Sequence, residues 1–205
     1  MIAAIAETFD FTPTPMSDPV HLPCPPELTT LLAGVVAGEQ RALERFYRLT
    51  IGKVFGLALR IVRNHATAEE VAEDVYVQIW RSAASYNPQR GSPLAWVLTI
   101  CRSRALDALR RADSAIVDAD PTERLDAVMQ HVPDLQDLLQ ATQEHTALNA
   151  ALARLRPEQR QILGLAFFRG LTHVEIAEAA HLPLGTIKSH IRRAIATLRE
   201  ELGTD

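Results

Sequence analysis

Apolar residues recur along this chain with the period of an α-helix, and almost no stretch alternates with the period of a β-strand. Glycine, proline and short polar clusters divide the pattern into separate segments. The pattern predicts helices at 27–36, 42–62, 66–83, 94–111, 134–155 and 158–168, followed by two short helices within 171–199. We therefore expect an all-α protein in which each helix buries one apolar stripe.

Residues with strong local preferences indicate where some of these helices begin. Thr67 is placed to cap the third helix, and Ser92 to cap the fourth. Pro93 follows Ser92 in the first helical position, where the missing N–H costs little. The large side chain of Trp80, in the third helix, is expected to face the core.

The segment 171–199 predicts two short helices joined by a tight turn. Thr172 and Glu175 have the spacing of a capping box at the start of the first helix. That helix must end before Pro183, because proline disfavours the α region in the residue before it. Thr186 can cap the second helix. Small and β-branched residues form the expected inner face of the first: Val174, Ile176, Ala177 and Ala180.

The second short helix separates apolar and basic residues onto opposite faces. Its apolar stripe comprises Ile187, Ile191, Ala194, Ile195 and Leu198. The other face and the turn supply donors and positive charge: Thr186, Lys188, Ser189, His190, Arg192 and Arg193. No carboxylate occurs from Pro183 to Arg199. Phosphate would repel carboxylates and attract these bases, so the pattern favours a DNA-binding helix-turn-helix over an amphipathic hairpin with a solvated basic face.

The third and fourth helices also carry one-sided charge. Acids cluster in the first half of the third helix: Glu69, Glu70, Glu73 and Asp74. Favourable alignment with the helix dipole and a solvated face would explain this cluster by themselves. The fourth helix carries Arg102, Arg104, Arg110 and Arg111, opposed by Asp107. Its Trp96 is either a core anchor or a platform for an unstacked base, and a solvated arginine face is the alternative for the helix.

The formal net charge of -4 is unevenly distributed along the chain. Residues 1–30 hold four acids and no Lys or Arg, and residues 31–112 hold twelve bases and seven acids. Residues 113–144 hold one base and eight acids, and residues 145–205 hold eight bases and six acids. An acidic connector therefore separates two basic blocks, an asymmetry that predicts nucleic-acid contacts on two separate modules.

The composition argues against several other classes of protein. Cys24 and Cys101 are too few and too far apart for a disulfide framework or a zinc site, and Cys101 reads as a core residue. No signal peptide or membrane-spanning run is recognisable, so we expect a soluble cytoplasmic protein without membrane insertion. We expect no catalytic residue, metal, cofactor or small-molecule substrate.

The residues of the helix-turn-helix carry a resemblance to a known family. The stretch Pro-Leu-Gly-Thr-Ile-Lys-Ser-His-Ile-Arg-Arg-Ala, at 183–194, resembles the Gly-Thr-Val-Lys-Ser-Arg…Arg-Ala signature of bacterial RNA polymerase sigma factors. These are factors of the extracytoplasmic-function (ECF) type, group 4 of the sigma-70 family. Arg-Pro-Glu-Gln-Arg-Gln-Ile-Leu, at 156–163, is similar to the opening of sigma region 4. The general form of the motif also occurs in response regulators.

Two further stretches resemble sigma region 2. Ala-Glu-Glu-Val-Ala-Glu-Asp-Val-Tyr, at 68–76, is similar to region 2.2, with Glu73 in place of the usual Gln and Glu70 in place of Asp. The segment 91–111 resembles regions 2.3 and 2.4, with Ser103 in place of the family Asn and Pro93-Leu94 in place of the aromatic. Together the matches run over about residues 28–202.

The resemblance implies a division of labour between two small helical domains. The domains would be a disordered Pro-rich acidic tail at 1–27, sigma region 2 at 28–112, an acidic linker at 113–144 and sigma region 4 at 145–205. Region 2 would dock on the clamp helices of the polymerase β′ subunit through Glu69, Glu70, Glu73 and Asp74. It would hold the single-stranded -10 element with Trp96, Arg102, Ser103, Arg104, Asp107, Arg110 and Arg111.

Region 4 would read the -35 duplex with the recognition-helix residues named above and dock on the flap of the β subunit. An anti-sigma factor is expected to hold the protein inactive. Two rivals remain. A DNA-binding response regulator would require a receiver domain with alternating strands, whereas the first 150 residues read as helical. A helical adaptor would show no salt-dependent affinity for DNA.

Overall fold

The computed structural model of the chain describes residues 26–115 and 146–203, whose regular elements are all helical. Backbone contacts divide the chain into two compact units between Leu109 and Arg110. The helices of the first part are α1 (Pro26–Val36), α2 (Gln40–Val62), α3 (His65–Ser82) and α4 (Pro93–Ala115). Two 3₁₀ turns, Ala83–Ser85 and Pro88–Arg90, lie between α3 and α4. The all-α prediction is confirmed for the described residues.

The second part begins with α5 (Thr146–Ala153) and α6 (Pro157–Gly164). A π-helical segment, Leu165–Arg169, continues α6 and ends at Gly170, whose φ of 62° is left-handed. It is followed by α7 (His173–Ala179) and α8 (Leu184–Glu201). The tail at 1–25 and the connector at 116–145, with most of the helix expected at 134–155, lie outside the described residues. The proposed domain limits stay predictions.

Asn64 determines where α3 begins. Arg63 is left-handed, with φ 55°, and closes α2 by donating its N–H to the Leu59 carbonyl at 2.8 Å. Asn64 then accepts the Thr67 N–H on its side-chain oxygen at 3.0 Å. The expected cap at Thr67 was therefore wrong. The side chain of Asn64 satisfies an amide that would otherwise have no helical partner, so α3 starts at His65.

The core of the first unit lies between α2, α3 and α4. Its fully buried members include Phe46, Val54, Ile61, Ile79 and Val97. A polar group is buried with them and satisfied: the Tyr76 and Thr50 hydroxyls are 2.8 Å apart, and Thr50 donates to the Phe46 carbonyl at 2.7 Å. Burial raises the pKa of Tyr76, so its hydroxyl stays neutral in this network.

The inward position expected for Trp80 was wrong. Trp80 is 42% exposed, whereas Val75 and Ile79 of the same helix are fully buried. Trp80 directly follows Ile79, and one residue turns an α-helix by about 100°, so the two side chains cannot both point to the core. Tyr47 of α2 is likewise 43% exposed, with its ring against the edge of Tyr76.

A close approach at Gly34 joins α1 to α2. A Cβ added at Gly34 would lie 2.7 Å from the Cβ of Ala42, and Glu27 of α1 also forms an ion pair with Arg45 of α2. We predict that Gly34→Ala lowers the free energy of unfolding by about 1–3 kcal/mol, because the clash involves a short side chain that cannot rotate away.

Gly52 supplies the matched control, since it also lies inside a helix and no described atom would come within 4 Å of its added Cβ. Gly52→Ala should raise stability by about 0.5–1 kcal/mol through helix propensity alone. Urea unfolding of both variants measures the difference. Equal shifts in the two would contradict the close packing of α1 on α2.

The core of the second unit gathers around Phe168. Phe168, Leu165, Ile176 and Ile187 are fully buried, and the Phe167 ring lies 5.1 Å from the Phe168 ring, edge to face. The predicted stripe of α8 is confirmed, since all its members are buried: Ile187, Ile191, Ala194, Ile195 and Leu198. This stripe anchors α8 along its length and leaves the opposite face to solvent.

Candidate nucleic-acid interfaces

Helix α7 has two well-defined ends. The capping box predicted at the start of α7 is confirmed: Thr172 Oγ1 accepts the Glu175 N–H at 3.3 Å, and Glu175 Oε2 accepts the Thr172 N–H at 2.7 Å. At the other end, His181 is left-handed, with φ 51°. The N–H groups of His181 and Leu182 return to the carbonyls two and three positions before Ala180, at 3.2 and 3.0 Å, as in a Schellman motif.

His181 occupies a backbone position where glycine is usual, so its side chain costs stability. We predict that His181→Gly raises the free energy of unfolding by about 1 kcal/mol, because a non-glycine residue pays about that much for left-handed backbone. Thr172→Ala, at the other end of α7, should instead lower it by about 1 kcal/mol. Thermal unfolding of both variants gives the signs, and a destabilised His181→Gly would contradict this helix end.

Pro183, and not Thr186, precedes the first turn of α8. The carbonyl of Pro183 accepts the N–H groups of Thr186 and Ile187 at 2.8 and 3.2 Å, and no cap hydrogen bond comes from a side chain. Thr186 is the third residue of α8, so the expectation that it caps this helix was wrong. The fixed φ of Pro183 and its carbonyl, which accepts these two N–H groups, already start the helix. Helix α7, the first of the two short helices, ends at Ala179 and so before Pro183, as expected.

The solvent side of α8 is basic. Lys188, Arg192 and Arg193 are exposed, whereas Thr186, Ser189 and His190 are half-buried. Across 146–203, no described ion pair neutralises these three bases. The nearest carboxylates on the helix are Glu200 and Glu201, in its last turn. Positive charge is therefore concentrated near the beginning and middle of α8, where a recognition helix contacts base edges and phosphates.

Val174 lies on the outside of α7, contrary to expectation. It is 52% exposed, whereas Ile176 is fully buried and Ala177 and Ala180 are half-buried. Two residues turn a helix by about 200°, so Val174 and Ile176 point to opposite sides. With Leu182 and Leu184, both exposed in part, Val174 adds apolar surface to this unit.

The charge of Lys188 on α8 reaches His173 on α7, which the sequence did not reveal. The pKa of His173 is lowered, first by burial and second by the positive charge of Lys188. The two residues belong to different helices, fifteen positions apart in sequence. Only the fold brings them together, so no local pattern could have indicated this pair.

The four acids of α3 share one exposed face, as the sequence predicted. Glu69, Glu70, Glu73 and Asp74 are exposed, and His65 Nδ1 contacts Glu69 Oε1 at 3.3 Å. The face continues into apolar surface at Val77 and Trp80, which are 48% and 42% exposed. Because positions three and four apart are neighbours on a helix, acids and apolar groups form one continuous strip along α3.

Most of the predicted basic face of α4 is exposed, with one exception. Ser103, Arg104, Asp107, Arg110 and Arg111 are exposed. Arg104 Nε donates to Gln78 Oε1 of α3 at 2.8 Å.

Arg102 departs from that basic face, because it is only 8% exposed. Arg102 directly follows the buried Cys101. It also shares a helix face with Ala105 and Leu106, which are buried one turn further along α4, so its side chain lies toward the core. The exposed arginine face of α4 is thus narrower than the sequence predicted, because Arg102 does not belong to it.

The loop before α4 is held by an aromatic side chain. The Tyr86 hydroxyl donates to the Gly91 carbonyl at 2.8 Å, and the Tyr86 ring lies 5.7 Å from the Trp96 ring. Trp96 is half-buried, which is compatible with both roles considered for it. The expected cap at Ser92 is confirmed, since Ser92 Oγ accepts the Ala95 N–H at 3.2 Å and α4 begins at Pro93.

Cys101 is a core residue, as expected. Its thiol is fully buried and donates to the Val54 carbonyl at 3.3 Å. Burial raises the pKa of Cys101 to about 12, so the reactive thiolate is scarce at neutral pH. Within 26–115 and 146–203, His, Cys, Asp and Glu form no group of three that could hold a metal ion. In the same ranges no helix combines the length and apolarity of a bilayer-spanning segment.

Comparison with known proteins gives two family matches, one for each unit. The model of "Sigma-70 region 2" matches residues 46–115, and that of "Sigma-70, region 4" matches residues 151–200. The chain is 35% identical over 193 residues to the ECF RNA polymerase sigma factor SigK of Mycobacterium sp. strain KMS, covering 93% of this chain and 98% of that protein. It is 36% identical over 185 residues to SigK of Mycolicibacterium vanbaalenii, covering 86% and 90%.

Among solved structures, CnrH in complex with the cytosolic domain of CnrY aligns with 86% of this chain and 97% of its own. The identity is 20% and the TM-score 0.40.

Proposed function

The chain belongs to the ECF sigma factors of the sigma-70 family, which bind core RNA polymerase and direct promoter-specific initiation of transcription, and we propose that three faces of its helices divide this work. The observation that carries the proposal is the basic face of α8, which lies opposite a buried stripe and follows the capped helix α7.

The first face, on α8, would read the -35 element. Lys188, Arg192 and Arg193 are free to meet phosphates and guanine edges, while Thr186, Ser189 and His190 lie beside them. Charged groups bring affinity through release of counterions from DNA, and side chains near the start of the helix bring specificity. His190 stands where the family signature has Arg, so the base contacts at this position should differ from those of the common signature.

The second face, on α4 and the loop before it, would hold the single-stranded -10 element. Arg104, Arg110 and Arg111 supply positive charge for the strand, with Ser103 and Asp107 among them, and Trp96 offers a ring near the loop. Unstacking a base costs a few kcal/mol, which stacking and phosphate contacts can offset. Arg102 would support the helix from the core side, because little of it reaches solvent.

The third face, on α3, would dock on the clamp helices of the polymerase β′ subunit. Glu69, Glu70, Glu73 and Asp74 provide charge for that contact. Val77 and Trp80 would bury apolar surface in the same interface. We further propose that the second unit docks on the β flap and that an anti-sigma factor controls the protein. Family membership is the support for these two partners.

Run-off transcription tests the proposal. Purified bacterial core polymerase is mixed with a library of promoter fragments, with and without the full-length chain. We expect start sites that require the chain and share two upstream sequence elements. Specific duplex binding by the chain alone, without core association or new starts, would favour a repressor. Failure of both assays would leave a helical adaptor.

A further inference from the structure

A side-chain hydrogen bond closes part of the loop between α3 and α4. The Tyr86 hydroxyl reaches across to the Gly91 carbonyl at 2.8 Å, so residues 87–90 lie within a closed ring of covalent and hydrogen bonds. Gly91 has φ 138°, a backbone conformation that side chains disfavour. The hydroxyl thus holds the chain at a residue whose backbone conformation favours glycine.

Inside this ring the backbone is ordered by its own hydrogen bonds. Asn87 accepts the Gln89 N–H on its side chain at 2.9 Å, and its carbonyl accepts the Arg90 N–H at 3.0 Å. Asn87, Gln89 and Arg90 nevertheless remain exposed. The loop therefore presents polar side chains to solvent from a backbone that has few conformations left.

The same tyrosine also couples the loop to α4. Its ring lies 5.7 Å from that of Trp96, tilted by 58°, and both side chains are half-buried. Trp96 is in the first turns of α4, the helix whose exposed arginines we assign to the single-stranded element. A shift of Tyr86 would move the loop relative to the ring on which a base could stack.

We propose that Tyr86 is a positioning residue that holds the loop ready to read an unstacked base of the -10 element. This inference rests on the proposed function. Amide and guanidinium groups such as those of Gln89 and Arg90 can read the exposed edge of a base only if their backbone is already in place, since ordering a loop on binding costs affinity. The hydroxyl of Tyr86 provides this preorganisation without touching the base.

Tyr86→Phe removes the hydroxyl and keeps the ring. The promoter found by the run-off library is varied at each -10 position, and initiation by the holoenzyme is measured for every base. We expect the preference for the best base at one -10 position to fall about three- to tenfold, the worth of one hydrogen bond. The preferences at -35 positions should not change, since the second unit is untouched.

Two further measurements separate positioning from mere folding. On a template already mismatched across the -10 element, the loss of preference should persist, because the loop acts on the unpaired strand. Tyr47→Phe removes a hydroxyl from an exposed tyrosine of the same unit and should leave every preference unchanged. Unaltered -10 preferences in Tyr86→Phe, with or without lower activity, would overturn the inference. If wild-type protein gives no specific start, the proposed function itself fails.

Discussion

Replacing Arg192 and Arg193 together by alanine is expected to reduce promoter-specific initiation about 30-fold or more, because each arginine that contacts a base or phosphate contributes roughly 1–3 kcal/mol. Both side chains are exposed on α8, while Ile191 and Ala194 on either side of them are buried. The substitution should therefore spare the core. Run-off transcription at the selected promoter measures the effect. In a plot of the logarithm of the affinity for -35 duplex against the logarithm of the salt concentration, the slope should become shallower by about 0.9 for each phosphate contact that is lost.

The control for this variant removes the same charge from the segment between α5 and α6 and from the last turn of α8. Arg154 and Arg199 are both exposed in the second unit, and Arg154 contacts Glu201 across 3.8 Å, an exposed ion pair. Such pairs contribute between about 0 and 1 kcal/mol, so alanine at both positions should change initiation little. Equal losses in the two double variants would show that net charge, and not the basic residues in the middle of α8, determines promoter binding.

Phe168→Ala is expected to lower the free energy of unfolding by about 3–5 kcal/mol, the usual cost of deleting a fully buried aromatic ring. Phe168 is 0% exposed and packs edge to face against Phe167, at the centre of the second unit. A loss of this size approaches the whole stability of a small domain. Initiation that depends on the -35 element should fail at temperatures where the wild type is active.

Val174→Ala is the matched control for that prediction. Val174 belongs to the same unit but is 52% exposed, so its truncation should change stability by less than about 0.5 kcal/mol. Urea unfolding of the full-length chain measures both variants. A large loss of stability in Val174→Ala would contradict the outward position of this residue and support the inward position that the sequence predicted. A small loss in Phe168→Ala would contradict the packing described for the second core.

Helical periodicity was enough to predict the elements because burial repeats along each helix. The stripe of α8 and the core positions of α4 at Val97 and Cys101 follow directly from residues three and four apart. The errors occurred one or two residues from a correct assignment. Trp80 is one position from the buried Ile79, and Val174 is two positions from the buried Ile176. Both are apolar, and composition alone does not show which apolar residue of a short segment faces the core.

Local competition explains the wrong helix caps. Thr67 and Thr186 are both good capping residues in isolation. Asn64 and Pro183 start their helices earlier, and each threonine then becomes the third residue of a helix already begun. Thr172 was predicted correctly because its partner, Glu175, is set by spacing within the same short segment. Caps are thus predictable where both partners are local and no stronger start precedes them.

The sequence by itself determined the helical class, the separation of two basic blocks by an acidic connector, and the family, since motif spacing and charge order are properties of the chain. The tertiary structure alone decided how far Arg102 is withdrawn from solvent, that the charge of Lys188 lowers the pKa of His173, and that Tyr86 closes its loop on Gly91. All three depend on distances in space, which sequence separation does not set. They are the burial of a residue beside a helical stripe, the effect of a charge on one helix upon a group on another, and a side chain that crosses a loop.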